Sequence, residues 1–377
     1  MRGVGTFRNN EKEFQMTSKN LVILAGAAIV LGGVAYVTSS SKHMKAPSLV
    51  GRQILPAFKL ADVARVEIGG DKKVVLAASD AGWKIESLYG YPADVAKIRE
   101  NILKLQDLKV GQVAHGKTIA KPVRVDLQNA AGKSLAALEM GDAHMSKPRG
   151  QAAQFGGGGY PDGRYIKFAD KTVLVKETLD AFDGDPRKWA DTRIASVPAS
   201  DVAAVSYAKD GTAVKLTRKD STWTLEGLGP KEELDTSKTY SLDSALSYLD
   251  FTGVADPKLA AKDLGLTTGA VYTATLKNGQ TYTATVGGVA KGTDRWVKLA
   301  ASFKAAGTNA AENAKLEQAV KDFNAKVGAW TYSVSSYSAD NFSKTRKDLV
   351  KAKEEPKKDE AKATAPKVEP KKAEAKK

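Results

Sequence analysis

The stretch "DVAAVSYAKDG" at Asp201–Gly211 restates "DVARVEIGGD" at Asp62–Asp71. Each opens Asp-Val-Ala, runs through alternating apolar residues and then turns. A period of two is the signature of a half-buried strand. Extending both stretches gives "FKLADVARVEIGGDKKVVLAASDAGWKIESL" (Phe58–Leu88) and "VPASDVAAVSYAKDGTAVKLTRKDSTWTLEGL" (Val197–Leu228). Each reads as strand, turn, strand, short turn and a third strand bearing Trp83 or Trp223. The offset from Asp62 to Asp201 is 139 and from Trp83 to Trp223 is 140. Val74, Leu76 and Ala78 alternate in one copy. Val214 and Leu216 do so in the other, with Thr217 and Arg218 turning outward.

A helix is expected next in each half. Val95, Ile98, Ile102 and Leu105 recur at helical spacing in "PADVAKIRENILKLQDLKV", with Leu108 beyond them. Leu242, Ala245, Leu246 and Leu249 do the same in "SLDSALSYLDFTGV", with Ser241 or Asp243 as its cap. Strand pairs follow, "VRVDLQNAAGKSLAALEMGD" and "VYTATLKNGQTYTATVGG", the second turning at Asn278-Gly279. The halves then diverge. The first carries an extra stretch, "SKPRGQAAQFGGGGYPDG". The second interrupts its last hairpin with a segment whose Leu316, Val320, Phe323 and Val327 mark a one-faced helix.

The expected fold is therefore α+β. Two tandem homologous repeats, each an antiparallel sheet with one main helix, stand behind an N-terminal transmembrane helix. The expected boundaries are 1–20 cytoplasmic, 21–37 anchor or signal and 38–57 linker. Repeat 1 is 58–184, the hinge 185–196 and repeat 2 197–345, with a disordered tail at 346–377.

The anchor rests on "LVILAGAAIVLGGVAYV" at Leu21–Val37, 17 residues without a charge. A helix of that length spans roughly 25 Å, the short end for a bilayer. The run is longer than a usual signal-peptide core, so an uncleaved anchor is preferred to a leader cleaved after Ser39. Met16 is an alternative start. Ala28 and Gly32 read as ordinary small residues rather than a packing motif. Arg2, Arg8, Lys12 and Lys19 precede the span and Lys42, Lys45 and Arg52 follow it, a slight bias that favours the N-terminus inside and the body outside, in the periplasm.

Among 377 residues there is no cysteine, so disulfides, thiolate metal sites and thiol nucleophiles are excluded. Only His43, His115 and His144 carry imidazole. The net charge is +15, of which the body 58–350 keeps +6 once the flanking segments (+2, +3 and +4) are set aside. No basic run with interleaved aromatics suggests nucleic acid. A mildly basic body suits contact with an anionic envelope polymer. The tail is Lys, Glu, Ala and Pro, with too little apolar bulk to fold.

Gly156–Gly159 is not a phosphate loop, because no Gly-Lys-Ser/Thr follows it. It reads first as a plain excursion. Its sharper reading is an interaction loop of Lys147, Arg149, Phe155, Gly156, Gly157, Gly158, Gly159 and Tyr160. Asp180, Asp183, Asp185 and Asp191 lack the spacing of a calcium loop and read as a turn capped by aspartates. Asp142 two residues before His144 is a weak metal or acid–base hint. No nucleophile elbow occurs. Carboxylate pairs for glycoside hydrolysis are defined in space, and dense short strands without long loops argue against them. Trp83, Trp223, Trp296 and Trp330 read as sheet-face packing, with sugar stacking as the alternative, and Trp189 packs at the hinge.

The chain resembles the DUF4340 family across about residues 20–350. The N-terminal span, the repeated Asp-Val opening, "GWKIESL" with "TWTLEGL", the hinge "DPRKWADTRI" (Asp185–Ile194) and the closing "WTYSVSSY…F…K…DL" carry the likeness. The resemblance implies an envelope location beside gliding-type ABC transporter operons and offers no catalytic residues. The expectation is a non-enzymatic accessory or scaffold protein of an envelope complex, without cofactor or metal and with an ABC-type transporter as partner. The alternative is a glycan- or peptidoglycan-binding module.

Overall fold

A computed structural model describes residues 48–69, 73–148, 158–305 and 307–353. The proposed span at Leu21–Val37 and most of the tail lie outside the described residues. No described helix is long and apolar enough to cross a membrane.

The chain is sheet-rich α+β, and its strand pairings are antiparallel. In order, the first elements are β1 (Arg65–Gly69), β2 (Val74–Ser79), β3 (Gly82–Ile85), β4 (Tyr91–Pro92), α1 (Val95–Gln106) and β5 (Gln112–Val113). Then come β6 (Val123–Gln128), β7 (Ser134–Met145), β8 (Pro161–Phe168), β9 (Lys171–Val175) and β10 (Arg193–Ala195). The next are β11 (Val202–Lys209), β12 (Thr212–Lys219), β13 (Thr222–Leu225), β14 (Glu232–Leu234), β15 (Leu249–Asp250) and β16 (Gly253–Val254). The last are β17 (Ala270–Leu276), β18 (Gln280–Val289), β19 (Arg295–Phe303), α2 (Ala310–Val327), β20 (Tyr332–Val334), α3 (Ser336–Asp340), α4 (Arg346–Leu349) and β21 (Val350–Ala352).

Two compact units are built from these elements, and they interleave along the sequence. One comprises described residues 48–57, 104–122 and 136–179. Its strands run in the order β7-β8-β9-β5. Residues 51–54 are tied to 108–110 by backbone bonds, Gly51 to Val110 and Ile54 to Leu108. Met140, Ile166 and Val173 are fully buried here.

The other unit comprises 58–103, 123–135 and 180–353. It holds the strands β4-β3-β2-β1-β6 and an eight-stranded sheet ordered β13-β12-β11-β17-β18-β19-β20-β16. Val66, Ile68, Leu76 and Ile85 are buried in the first group, and Leu216, Tyr272, Val297 and Tyr332 in the second. Each such side chain contributes roughly 1.5–3 kcal/mol of transfer free energy.

Local chemistry explains the hairpins. Asp210-Gly211 and Asp220-Ser221 are two-residue loops with both residues at positive φ, as is Ala169-Asp170. That geometry matches the right-handed twist of paired strands. A short 3-10 turn ends at Asp62 and another at Asp201, each followed by a buried valine, Val63 or Val202.

The helix expectations divide. α1 forms with Ile98, Ile102 and Leu105 buried, while Val95 is left exposed. α2 forms with Val320 and Val327 buried and Phe323 edge-on to Tyr282. The helix expected over "SLDSALSYLDFTGV" is absent, and residues 240–248 are consecutive turns. Leu242, Ala245, Leu246 and Leu249 are nonetheless all buried. Their carbonyls are diverted: Tyr272 donates its hydroxyl to Leu242 O at 2.8 Å, and the Val197 amide donates to Leu246 O at 2.9 Å. The serines compete as well, with Ser247 Oγ donating to Val197 O. The expectation of one main helix per repeat therefore fails over this stretch, and the long helix of the second half is α2.

The tail also starts later than expected. Residues 346–352 form α4 and β21, and β21 pairs with β14. Leu349 is fully buried, and Arg346 is ion-paired with Glu232. Leu349, the ion pair to Glu232 and the β14–β21 ladder hold a segment that composition alone assigns to the tail.

Candidate functional site

The proposed interaction loop leaves the end of β7 and returns at the start of β8. Its two ends are closed against each other. Ser146 N–H donates to Tyr160 O at 2.9 Å, and Ser146 Oγ both donates to that carbonyl and accepts from the Tyr160 amide at 3.1 Å. Gly159 makes this closure possible, because a Cβ there would sit 1.6 Å from Ser146 O. Gly158 has no atom within 4 Å of its would-be Cβ. Lys147 is exposed, and Tyr160 is 70% exposed. Lys147, Gly158, Gly159 and Tyr160 thus gather at the mouth of the excursion. Arg149, Phe155, Gly156 and Gly157 lie outside the described residues.

Below the mouth the strands carry a polar cluster. His144 Nδ1 lies 2.5 Å from Asp162 Oδ1. The His144 ring meets Tyr165 edge-on at 5.7 Å, and Lys117 Nζ lies over the other ring at 4.9 Å. Asp142 faces Lys117 at 3.9 Å instead of His144. Sequence proximity suggested Asp142 with His144, but residues two apart on a strand are separated by about 6.8 Å. Cross-strand neighbours come closer. The described residues hold no group of three or more carboxylate or imidazole side chains arranged for a metal.

The aspartate run is engaged with cations. Asp185 accepts the Arg187 amide and binds its guanidinium at 2.7 Å, capping a 3-10 turn at Pro186–Trp189. Hydrogen bonds from the Arg187 side chain hold the Asp185 carboxyl below its ordinary value. Burial pushes Asp191 up, but Lys326 at 2.8 Å and the Arg193 amide outweigh it, so the net direction is down. Trp189 in this turn is fully buried, edge-on to Phe182 at 5.1 Å. Trp83 and Trp223 are half-buried at equivalent places on β3 and β13. Trp223 lies under the Arg218 guanidinium at 5.5 Å. Arg218, expected to turn outward, is folded in: it binds Asp243 at 2.6 Å and the carbonyls of Ala199 and Ser200.

A second site was not legible in the sequence. A cavity of about 410 Å³ is lined by Leu259, Leu264, Leu266, Thr285, Lys298 and Trp330, among others. On β19 the buried face is Val297 and Leu299, so alternation puts Lys298 on the opposite face. That face is covered by segments near residues 255–267 and 329–331. Lys298 Nζ donates to Gly328 O at 2.5 Å and to Trp330 O at 3.0 Å. Burial lowers its pKa. Among the described residues it has no carboxylate within ion-pair distance. Asp256 also lines the cavity and accepts the Lys258 amide.

Residues 83–268 match the family described as a domain of unknown function, DUF4340. Over these residues the chain is similar to the DUF4340 family. Comparison with curated proteins and with solved structures finds no match. The DUF4340 region opens at Trp83 and closes at Thr268. It contains the β7–β8 excursion, the aspartate turn and the rim residues Leu259, Leu264 and Leu266. Lys298 and Trp330 lie beyond its end.

Proposed function

We propose that this DUF4340 chain is a non-enzymatic, membrane-anchored accessory or scaffold protein of an envelope complex, held in the inner membrane by Leu21–Val37 with its body in the periplasm. Its partner is an ABC-type transporter. The body is a pair of tandem homologous repeats. The orders β3-β2-β1-β6 and β13-β12-β11-β17 support the duplication, as do β7-β8-β9-β5 and β18-β19-β20-β16. β3 and β13 even share one burial sequence, with only the last residue, Ile85 or Leu225, buried.

One observation carries the interaction reading. The β18–β19 connection is residues 290–294, whereas its counterpart between β7 and β8 is residues 146–160. The shared strands build cores, while the excursion is surplus to them and opens at an exposed tyrosine. Such surface insertions are free to carry contacts, and an aromatic anchor can dominate an interface.

The test replaces residues 147–159 by Asn-Gly, a two-residue hairpin turn. Membranes are solubilised in detergent and partners captured on the chain. The intact protein should co-purify with transporter subunits, and the variant should lose them at an unchanged melting temperature. Retention of the same partners by the variant removes the loop from the reading. Capture of the intact chain alone on peptidoglycan favours the glycan-binding alternative. A periplasmic alkaline-phosphatase fusion after Ser200 should be active, and activity of a cytoplasmic reporter there would reverse the topology.

A further inference from the structure

We propose that the cavity beside Lys298 binds a small monoanionic amphiphile, a carboxylate against the Lys298 ammonium and an apolar body among Leu259, Leu264, Leu266 and Trp330. This site is separate from the loop invoked above and does not depend on it.

The cavity has the size of small-molecule sites, which run about 300–1,000 Å³, and shares their composition of apolar walls with a few polar groups. Lys298 is the charged group. An ammonium has three N–H donors, and the carbonyls of Gly328 and Trp330 occupy two. Neutral carbonyls orient the head but do not cancel its charge. A desolvated cation without a counter-charge favours an anion more strongly than an exposed lysine does. Asp256 does not serve, since no ion pair joins it to Lys298. A single lysine balances a single negative charge, so a carboxylate fits better than a phosphate dianion, which draws several cations or a guanidinium fork. Thr285, the cross-strand partner of Lys298, adds a hydroxyl beside the head. Leu259 at the rim is 47% exposed, as an apolar residue guarding an entrance would be.

The experiment is isothermal titration of octanoate into the full chain in lipid nanodiscs, against empty nanodiscs, with octanol as the uncharged match. One-site saturation below about 1 mM is expected. Octanol should bind at least about tenfold more weakly, the loss of one charge-assisted hydrogen bond. Lys298→Met should weaken octanoate by the same factor, and Lys298→Arg should retain part of it. Should Lys298→Met fail to fold by circular dichroism, Leu259→Asp sets a repelling carboxylate at the exposed rim and should weaken octanoate about tenfold. Equal binding of octanol and octanoate, unchanged affinity in Lys298→Met or in Leu259→Asp, or no heat above the nanodisc blank overturns the proposal.

Discussion

The guanidinium of Arg218 and the carboxylate of Asp243 meet at 2.6 Å, with the arginine side chain only 12% exposed. The same guanidinium donates to the carbonyls of Ala199 and Ser200 and covers the Trp223 ring. It therefore ties β12 to the 3-10 turn before β11 and to the turns at 240–248. Removing one partner of a largely buried pair leaves the other desolvated. Arg218→Leu should cost about 2–4 kcal/mol in urea unfolding. A loss below about 0.5 kcal/mol, typical of surface substitutions, would mean that the pair is ornamental.

The two described glycines of the loop should behave oppositely. Gly159→Ala drives a methyl into Ser146 O and should open the closure with Tyr160, at roughly 1–3 kcal/mol for an overpacked site. Gly158→Ala meets nothing within 4 Å and should be neutral to within about 0.5 kcal/mol. Thermal melts of both variants side by side make the comparison. Equal effects would contradict the closed mouth.

Tryptophan position should outrank tryptophan identity. Trp189 is 0% exposed, and Trp189→Ala should cost about 3–5 kcal/mol. Trp223, half-buried under Arg218, should cost about 1–2 kcal/mol when replaced by alanine, since it loses partial burial and a cation–π contact. A reversed order in chemical denaturation would place the core elsewhere.

Acid should weaken the hinge. Asp185 and Asp191 both titrate below the ordinary carboxylate value of 3.8 in the folded chain. A folded pKa below the unfolded one contributes stability that is complete above the unfolded value and lost as pH falls through the folded value. Stability should thus fall below about pH 4. The acid limb should flatten in a variant with Asp185→Asn and Asp191→Asn together, while the curve keeps its shape from pH 6 to 8. An unchanged acid limb in unfolding measured against pH would assign acid lability to other carboxylates.

Much of the fold was legible because its causes are local. Alternation at Val202–Lys209 and Thr212–Lys219, the Asp210-Gly211 turn and the one-faced pattern of α2 each depend on a few neighbouring residues. The excursion between β7 and β8 was found the same way, by comparing corresponding hairpins. Its closure was not, because nothing in four consecutive glycines separates Gly158 from Gly159 until Ser146 is brought across from β7.

The order of residues along the chain sets which positions are apolar and at what period, and therefore where strands turn and which faces seek burial. Even at 242–249 it identified the buried set, Leu242, Ala245, Leu246 and Leu249. Tertiary packing set the backbone there, because Tyr272 and Val197 take hydrogen bonds that a helix needs. It also decided that Arg218 points inward, that His144 faces Asp162, and that Lys298 sits under a roof of segments from both sides of it in sequence. Periodicity is a property of neighbours along the chain. The covering of a face, and the partner of a charge, depend on contacts tens of residues apart, which strand order alone brings together.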